Sequence, residues 1–415
     1  MQKLRFQFLI NSLTSGGAER IAVNLFNRLS EKYNIYFYTI LNDIFYNIPK
    51  NIDFKSLTPY SINQGYKKFI LAIFISFFKY LKETKKNDPK VLISFLEISN
   101  FITILVARLL NKRNIISIRC NPNDMYSEKT MYGKVHRFLI KLLYPKADKI
   151  VAVSKEIEEI LIKEYKIPKE KIKTIYNPHS IEEYQKLSKE PLEEKYKEIF
   201  KDSFVFINIG RLTEQKGQWF LIRAFKKVSE RHPEAKLIIL GEGGLRNKLE
   251  KLIKKLNLED KVFLLGRQDN VFKFLKNSDC FVFSSLWEGL PNTVIEALSV
   301  NLPIISTDCK TGPREILAPE LDIGEEINYP YYGKYGILTK PFPRRYIFKT
   351  LDEEPLIEEE KILAELMIKI IKDKELREKY SNGLERAKDF DIDKIVKEWE
   401  GVIKKVLNIS YSFQR

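Results

Sequence analysis

Two carboxylates and two cations in the second half of the chain have the types and spacing for chemistry on a phosphorylated, hydroxyl-rich ligand. Glu288 and Glu296 bracket the run Trp287-Glu288-Gly289-Leu290-Pro291-Asn292-Thr293-Val294-Ile295-Glu296. Gly289 and Pro291 keep the backbone out of helix before Asn292, so Thr293 to Leu298 reads as a helix, with Glu288 in the loop before it and Glu296 about one turn in. A helix start offers free amides and the positive end of a dipole. A diphosphate held there would leave both carboxylates for the hydroxyls of flanking sugars; the plainer alternative is a capping carboxylate beside a solvated one. The cations are Arg211 and Lys216 of Gly210-Arg211-Leu212-Thr213-Glu214-Gln215-Lys216-Gly217, where glycines permit close backbone approach and two positive charges suit a diphosphate. Gly241 and Gly243 of Gly241-Glu242-Gly243 could close against a base or a phosphate, or serve turn chemistry alone. In Thr311-Gly312-Pro313-Arg314-Glu315-Ile316, Arg314 and Glu315 either pair with each other or contribute to the site.

Such loops need strands to carry them. Short β-branched and aromatic runs alternate with longer helical patterns throughout, the signature of βαβ units around parallel sheets. Strands are expected at Leu4 to Ile10, Ile35 to Ile40, Val91 to Phe95, Ile115 to Ile118 and Ile150 to Val153. A second set follows at Phe204 to Ile209, Lys236 to Leu240, Val262 to Leu265, Cys280 to Phe283 and Pro303 to Ser306. The first strand runs through Gly16 and Gly17 into an amphipathic stretch from Glu19 to Leu29. The polar, charge-rich segment from Ser180 to Asp202 reads as a linker. The domains are therefore placed at 1–185 and 200–385, with 386–415 as a C-terminal helix and tail. Every loop singled out above follows a strand, where ligands bind in open α/β sheets.

The chain has 415 residues with formal charge +16, and residues 1–185 hold 30 Lys and Arg against 17 Asp and Glu, a net +13. That half expects an anionic partner, nucleic acid or an anionic membrane surface. Three scattered cysteines, Cys120, Cys280 and Cys309, form no disulfide framework or metal spacing, and no metal is expected. The apolar run Phe6 to Ile10 is shorter than a signal-peptide core, so the expected location is cytoplasmic. Phe69 to Phe78, flanked by Lys67, Lys68, Lys79 and Lys82, is too short to span a bilayer. It is expected to pack as a core helix between sheet and solvent in preference to lying in a membrane interface.

With these motifs in place, the chain resembles family 4 of the retaining glycosyltransferases, whose GT-B fold sets two Rossmann-like domains around a central cleft. The family's paired glutamates match Glu288 and Glu296, its basic phosphate pair matches Arg211 and Lys216, and its N-terminal glycine loop matches Gly16-Gly17-Ala18-Glu19. The run Thr307 to Leu317 is similar to the branch that extends lipid-linked oligosaccharides, capsule, exopolysaccharide or O-antigen units. The resemblance implies that Glu296 holds the donor ribose, Glu288 the donor sugar, and Arg211 with Lys216 the diphosphate. It implies too that Gly16 and Gly17 approach donor and acceptor, and that the helix over Ile395 to Leu407 crosses back to the first domain. Many members carry a histidine in the first-domain catalytic loop; here His136, His179 and His232 match no such place. Arg119, in Arg119-Cys120-Asn121-Pro122, is instead the candidate for acceptor or leaving-group contact, with a structural role as the alternative.

The implied reaction is transfer of a hexose or N-acetylhexosamine, with retention, from a nucleotide diphosphate sugar, by frequency in the family a uridine diphosphate sugar, to a lipid-diphosphate-linked glycan at the inner face of the cell membrane. Stabilising charge on the departing phosphate is then the main task, and no cofactor is called for. Asp391-Ile392-Asp393 superficially matches a metal motif of another transferase fold but lies in the terminal amphipathic segment. A sugar-nucleotide epimerase shares the architecture and is the alternative enzyme. A nucleic-acid-binding protein would explain the charge but no nucleic-acid motif is present, and a silent scaffold would not need the paired glutamates and Gly-Arg-Lys loop.

Overall fold

The computed structural model describes residues 3–14 and 16–412. The chain divides into two units, Met1–His179 with Ile392–Arg415, and Ser180–Asp391. Each is built on a seven-stranded sheet.

In the first unit the strands are β1 (Arg5–Ile10), β2 (Asn34–Thr39), β3 (Asp53–Ser56), β4 (Val91–Phe95), β5 (Arg113–Ile118), β6 (Lys149–Ala152) and β7 (Ile172–Thr174), in the spatial order β3-β2-β1-β4-β5-β6-β7. Every pair is parallel. All five residues of β4 are buried, as expected for a strand covered by helices on both faces. Helix α1 (Gly17–Ser30) turns Ile21, Ala22, Leu25, Phe26 and Leu29 inward at helical spacing. Phe26 meets Phe8 at 4.0 Å, Phe37 at 4.7 Å and Phe95 at 5.4 Å between ring centroids. Helices α2 (Tyr66–Asn87), α3 (Glu97–Leu109) and α4 (Met131–Leu143) follow β3, β4 and β5. The helix Ile392–Ser412 completes this core, with Ile395, Trp399, Ile403 and Val406 buried and Trp399 stacked on Phe95 at 5.6 Å.

The second unit contains β8 (Phe204–Ile209), β9 (Ala235–Leu240), β10 (Val262–Gly266), β11 (Cys280–Phe283), β12 (Ile304–Thr307), β13 (Tyr331–Tyr332) and β14 (Ile337–Thr339), ordered β10-β9-β8-β11-β12-β14-β13. Only β13 is antiparallel to its neighbour. Its core gathers Trp219, Phe220, Phe225, Leu249 and Leu363, with Phe220 stacked on Phe342 at 4.4 Å. In both sheets the strand order reverses beside the first strand, between β1 and β4 and between β8 and β11. Those are the switch points where loops part and leave room for a ligand.

Two expectations need correction. The stretch read as a linker forms two short helices of the second unit, Ile181–Leu187 and Glu194–Phe200. Its charges conceal an apolar face: Ile181, Tyr184 and Ile199 are buried, and Tyr184 stacks on Phe272 at 4.2 Å. The run Phe69 to Phe78 lies within α2 and packs on the core in part, through Phe69, Ile73 and Phe77, but four of its bulky residues face outward. Ala72, Ser76, Tyr80 and Thr84 form the buried stripe, while Ile70, Leu71, Phe74 and Phe78 are exposed. The strands β3, β7, β13 and β14 were not foreseen; they are two to four residues long and three of them hold edges, so they carry little apolar pattern.

Candidate active site

The loops leaving β8 and β11 lie side by side because their strands pair. They are joined by hydrogen bonds from Leu286 N to Gln215 O at 2.7 Å and from Ser284 Oγ to Lys216 O at 2.8 Å. Gly217 makes the approach possible: its φ of +59° is left-handed, and a Cβ there would stand 2.4 Å from Ser284 O. The backbone thereby brings Lys216 to Glu288, Nζ to Oε1 at 2.6 Å, with side chains 15% and 9% exposed. Gln215 Nε2 donates to the other carboxylate oxygen at 3.2 Å and to Trp287 O at 2.9 Å. Glu288 is therefore occupied on both oxygens by the loop after β8, and does not stand free for hydroxyls as its position in the sequence suggested.

The loop after β12 holds Glu288 from behind. Glu288 N donates to Lys310 O at 2.8 Å, and Thr311 returns its N–H to Glu288 O at 3.1 Å and its hydroxyl to Gly289 O at 2.6 Å. Gly312, at φ +103°, lets this loop sit so close that a Cβ would come within 2.7 Å of Pro291. Gly289, Leu290 and Pro291 thus form a fixed lead into the helix Asn292–Ser299, whose start carries no side-chain cap. Its first-turn amides, including those of Asn292 and Thr293, give the site an anion-binding end. Glu296, one turn in, is 2% exposed. Arg211 is exposed, with no ion-pair partner among the described residues. The two cations are therefore unlike: one is paired and fixed, the other open. Cys309 lies buried near Glu288, and burial first, then the charge of Glu288, hold its thiol well above the usual range, so it is no nucleophile.

Gly241 and Gly243 have a packing reason for being glycine. Added Cβ atoms would stand 2.0 Å from Gly210 O and 2.4 Å from Leu212 O, so the turn after β9 seats directly on the loop that carries Arg211. Arg314 does not pair with Glu315. Its guanidinium meets Asp308 at 2.5 Å, and Tyr329 donates to the same carboxylate at 2.7 Å. Asp308, just past β12, carried no signal apart from that position.

In the first unit, Gly16 begins α1 and accepts the Tyr46 hydroxyl at 3.0 Å; a Cβ on it would stand 2.2 Å from Glu19, whose carboxylate also accepts from Thr14 at 3.0 Å. Gly17 opens the helix. Arg119 is 6% exposed. It donates to Asn177, and its guanidinium lies 5.5 Å over the Phe95 ring, while burial lowers its pKa to about 10. One residue escaped sequence reading: Glu97, buried at the start of α3 after Leu96 turns the chain at φ +71°. Both residues leave neighbouring strands at the same sheet edge: Phe95 pairs with Ser117, and Glu97 and Arg119 each follow two residues on. The structure thus assembles Gly210, Arg211, Lys216, Glu288, Thr293 and Glu296 at the C-terminal edge of the second sheet, and Gly16, Gly17 and Arg119 at that of the first. Among the described residues no group of three His, Cys, Asp or Glu side chains is placed to hold a metal ion.

Comparison with known proteins agrees with this architecture. The family profile described as Glycosyltransferase Family 4 matches residues 15–183, and that described as Glycosyl transferases group 1 matches residues 189–323. An uncharacterized glycosyltransferase of Methanocaldococcus jannaschii is 58% identical over 79% of this chain and 82% of its own. An N-acetylgalactosamine-N,N'-diacetylbacillosaminyl-diphospho-undecaprenol 4-alpha-N-acetylgalactosaminyltransferase of Campylobacter jejuni is 32% identical over 96% of this chain and 98% of its own. Anabaena HepE, solved in complex with UDP, superposes with a TM-score of 0.72 at 16% identity, covering 97% of this chain and all of that one. The chain belongs to the family 4 glycosyltransferases and has the GT-B fold. It is an enzyme of the glycosyltransferase class.

Proposed function

We propose that the protein moves a hexose or N-acetylhexosamine, with retention of anomeric configuration, from a uridine diphosphate sugar to a lipid-diphosphate-linked glycan during cell-surface glycan assembly. The observation that carries the reading is the Lys216–Glu288 pair, fixed at 2.6 Å beside an uncapped helix start. A diphosphate arriving at Arg211, Lys216 and the first-turn amides competes with Glu288 for Lys216, and turns the carboxylate towards the donor sugar while Glu296 takes the ribose. Cleavage of the anomeric bond places negative charge on the departing phosphate, and prearranged cations and amides stabilise it without cofactor or metal. Arg119 contacts the acceptor or the leaving group. The Campylobacter relative is named for a diphospho-undecaprenol acceptor, which supports the acceptor class.

The net +13 of residues 1–185 supports work at an anionic membrane on its cytoplasmic side, and among the described residues no helix is long and apolar enough to cross one. The test incubates the protein with a panel of nucleotide sugars and lipid-diphosphate glycans and follows product mass and anomeric configuration by NMR. A gain of one sugar in the donor's configuration, abolished by Glu288→Ala and Lys216→Ala, supports the proposal. Inverted product removes the retaining mechanism, and donor isomerisation without transfer replaces the proposal with an epimerase.

A further inference from the structure

Between β14 and the helix Glu358–Lys372, residues 340–357 form neither helix nor strand. A connection of that length inside a compact domain usually serves a function. Two residues fix this one to the core: Phe342 and Ile347 are buried, the first stacked on Phe220 at 4.4 Å between ring centroids. Between them Arg344 and Tyr346 are exposed, and each reaches a different loop. The Arg344 guanidinium lies 4.7 Å over the Trp287 ring, and the Tyr346 hydroxyl donates to Glu214 at 3.1 Å. The Tyr346 ring also covers Trp219 at 4.9 Å, as Phe348 does at 5.6 Å. Lys248, from the helix Arg246–Lys255, sits over both of these outer rings at 5.7 and 5.8 Å.

These contacts fall directly beside the site. Trp287 immediately precedes Glu288, and Glu214 precedes Gln215 and Lys216, the two residues that occupy the Glu288 carboxylate. Trp219 comes two residues after Gly217, the turn at which the loops after β8 and β11 meet. One connection thus grips the loop after β8 at Glu214 and Trp219, and the loop after β11 at Trp287. Core packing does not call for this: Phe342 and Ile347 already close the core, whereas Arg344 and Tyr346 stand at the surface. A cation over an exposed ring and a single surface hydrogen bond contribute little to global stability, but they restrict where the ring and the carboxylate can go.

We infer that Arg344 and Tyr346 are positioning residues, which brace the loops after β8 and β11 so that Lys216 and Glu288 keep their places while the donor reacts. This rests on the transfer reaction proposed above. The test uses the full chain with Arg344→Ala and Tyr346→Phe, the second of which keeps the ring on Trp219 and removes only the bond to Glu214. Hydrogen–deuterium exchange read by mass spectrometry, with no substrate present, follows residues 210–219 and 284–296. Circular dichroism melts report folding. Steady-state kinetics then follow transfer, with Arg344→Ala measured alone and on top of Lys216→Ala.

Arg344→Ala should quicken exchange in 284–296, and Tyr346→Phe in 210–219, by about three- to five-fold, the factor that an exposed cation–π contact or surface hydrogen bond supplies. Melting temperatures should stay within about 2 °C of the parent, as for other surface substitutions. Because misplacing a reacting group by about 1 Å costs on the order of 100-fold, the smaller loosening here should lower kcat about ten-fold, with donor KM little changed. On top of Lys216→Ala, Arg344→Ala should add no further loss, since it acts through that pair. A loss that multiplies there, or a raised donor KM at unchanged kcat, overturns the assignment, because Arg344 would then meet the donor itself. Unchanged exchange in both segments overturns it as well, and so does a lowered melting temperature with kcat unchanged, which makes the contacts structural alone. Quickened exchange in a protein that transfers no sugar to any acceptor counts against the proposed reaction and leaves the brace standing.

Discussion

Lys216 and Glu288 neutralise each other in a setting largely withdrawn from water, so each single substitution strands the partner's charge. Lys216→Ala is expected to lower kcat about 100- to 1000-fold, the range for removing one donor to a developing anion. The double variant with Glu288→Ala should fall well short of the product of the two single losses, because both act through one pair. Steady-state kinetics on the donor decide this, and a multiplicative loss would mean that the residues act separately. A second prediction concerns Glu97. Burial is the largest influence on its carboxyl and holds it above the usual range, against hydrogen bonds from its own backbone amide and from Tyr126. A carboxyl raised on folding contributes stability that is complete below its unfolded pKa of about 4.3 and is lost as pH rises above that value. Glu97→Gln should therefore melt with the parent protein near about pH 4 and above it near about pH 8; the opposite order would place Glu97 as a working carboxylate. Lys216 and Glu288 were legible in the sequence because both follow strong strands. The partner of Arg314 was not: Asp308 lies six residues back across a turn, a distance that no helical or strand period links.

The loops after β8, β11 and β12 hold their shape through close backbone approaches at glycine. Gly312→Ala must admit a Cβ at φ +103° against Pro291, at a cost of about 1–3 kcal/mol, and it displaces the lead into the Asn292–Ser299 helix. The expected result is a lower melting temperature together with a raised donor KM; a raised KM at unchanged stability would show that the loop yields without strain. Elsewhere in the unit, the helix Gln218–Arg231 buries Arg223 against Glu360 at 2.7 Å, with both side chains fully enclosed and further bonds to the carbonyls of Lys349 and Glu354. Arg223→Ala leaves a buried carboxylate unpaired and should cost about 3–5 kcal/mol in denaturant unfolding, with donor KM little changed in what remains folded. Nothing in the sequence distinguishes Arg223 from the solvated cations of an amphipathic helix, since its partner is far along the chain. Long buried strands such as β4 were legible through their apolar runs. The facing of α2 was not, because a ten-residue run that is apolar except for Ser76 does not reveal which side meets the sheet.

The largest-scale feature is that the first unit is made from both ends of the chain. The chain leaves it at His179 and returns at Ile392, whose amide donates to His179 O at 2.9 Å. The returning helix fills a place in the core: Trp399 stacks on Phe95, and Ile395, Val402, Ile403 and Val406 are buried around it, with Asp393 paired to Arg28 at 2.6 Å and Glu400 to Lys32 at 2.9 Å. Phe95 also underlies Arg119, so the terminal helix supports the ring on which a candidate site residue rests. Trp399→Ala is expected to cost about 3–5 kcal/mol by leaving a cavity beside Phe95. Released from stacking, Phe95 no longer fixes Arg119, so acceptor KM should rise while donor KM, set in the other unit, stays constant. The second unit is continuous in sequence, which leads to an asymmetry between fragments. Residues 180–391 alone should unfold cooperatively and retain nucleotide binding by calorimetry. Residues 1–179 should show no cooperative transition until a peptide spanning 392–415 is added, since without it the face of β1, β4 and β5 beneath the helix is bare. A cooperative melt of 1–179 unaided would show that the terminal helix is an accessory to this core and would remove the link from Trp399 to Arg119.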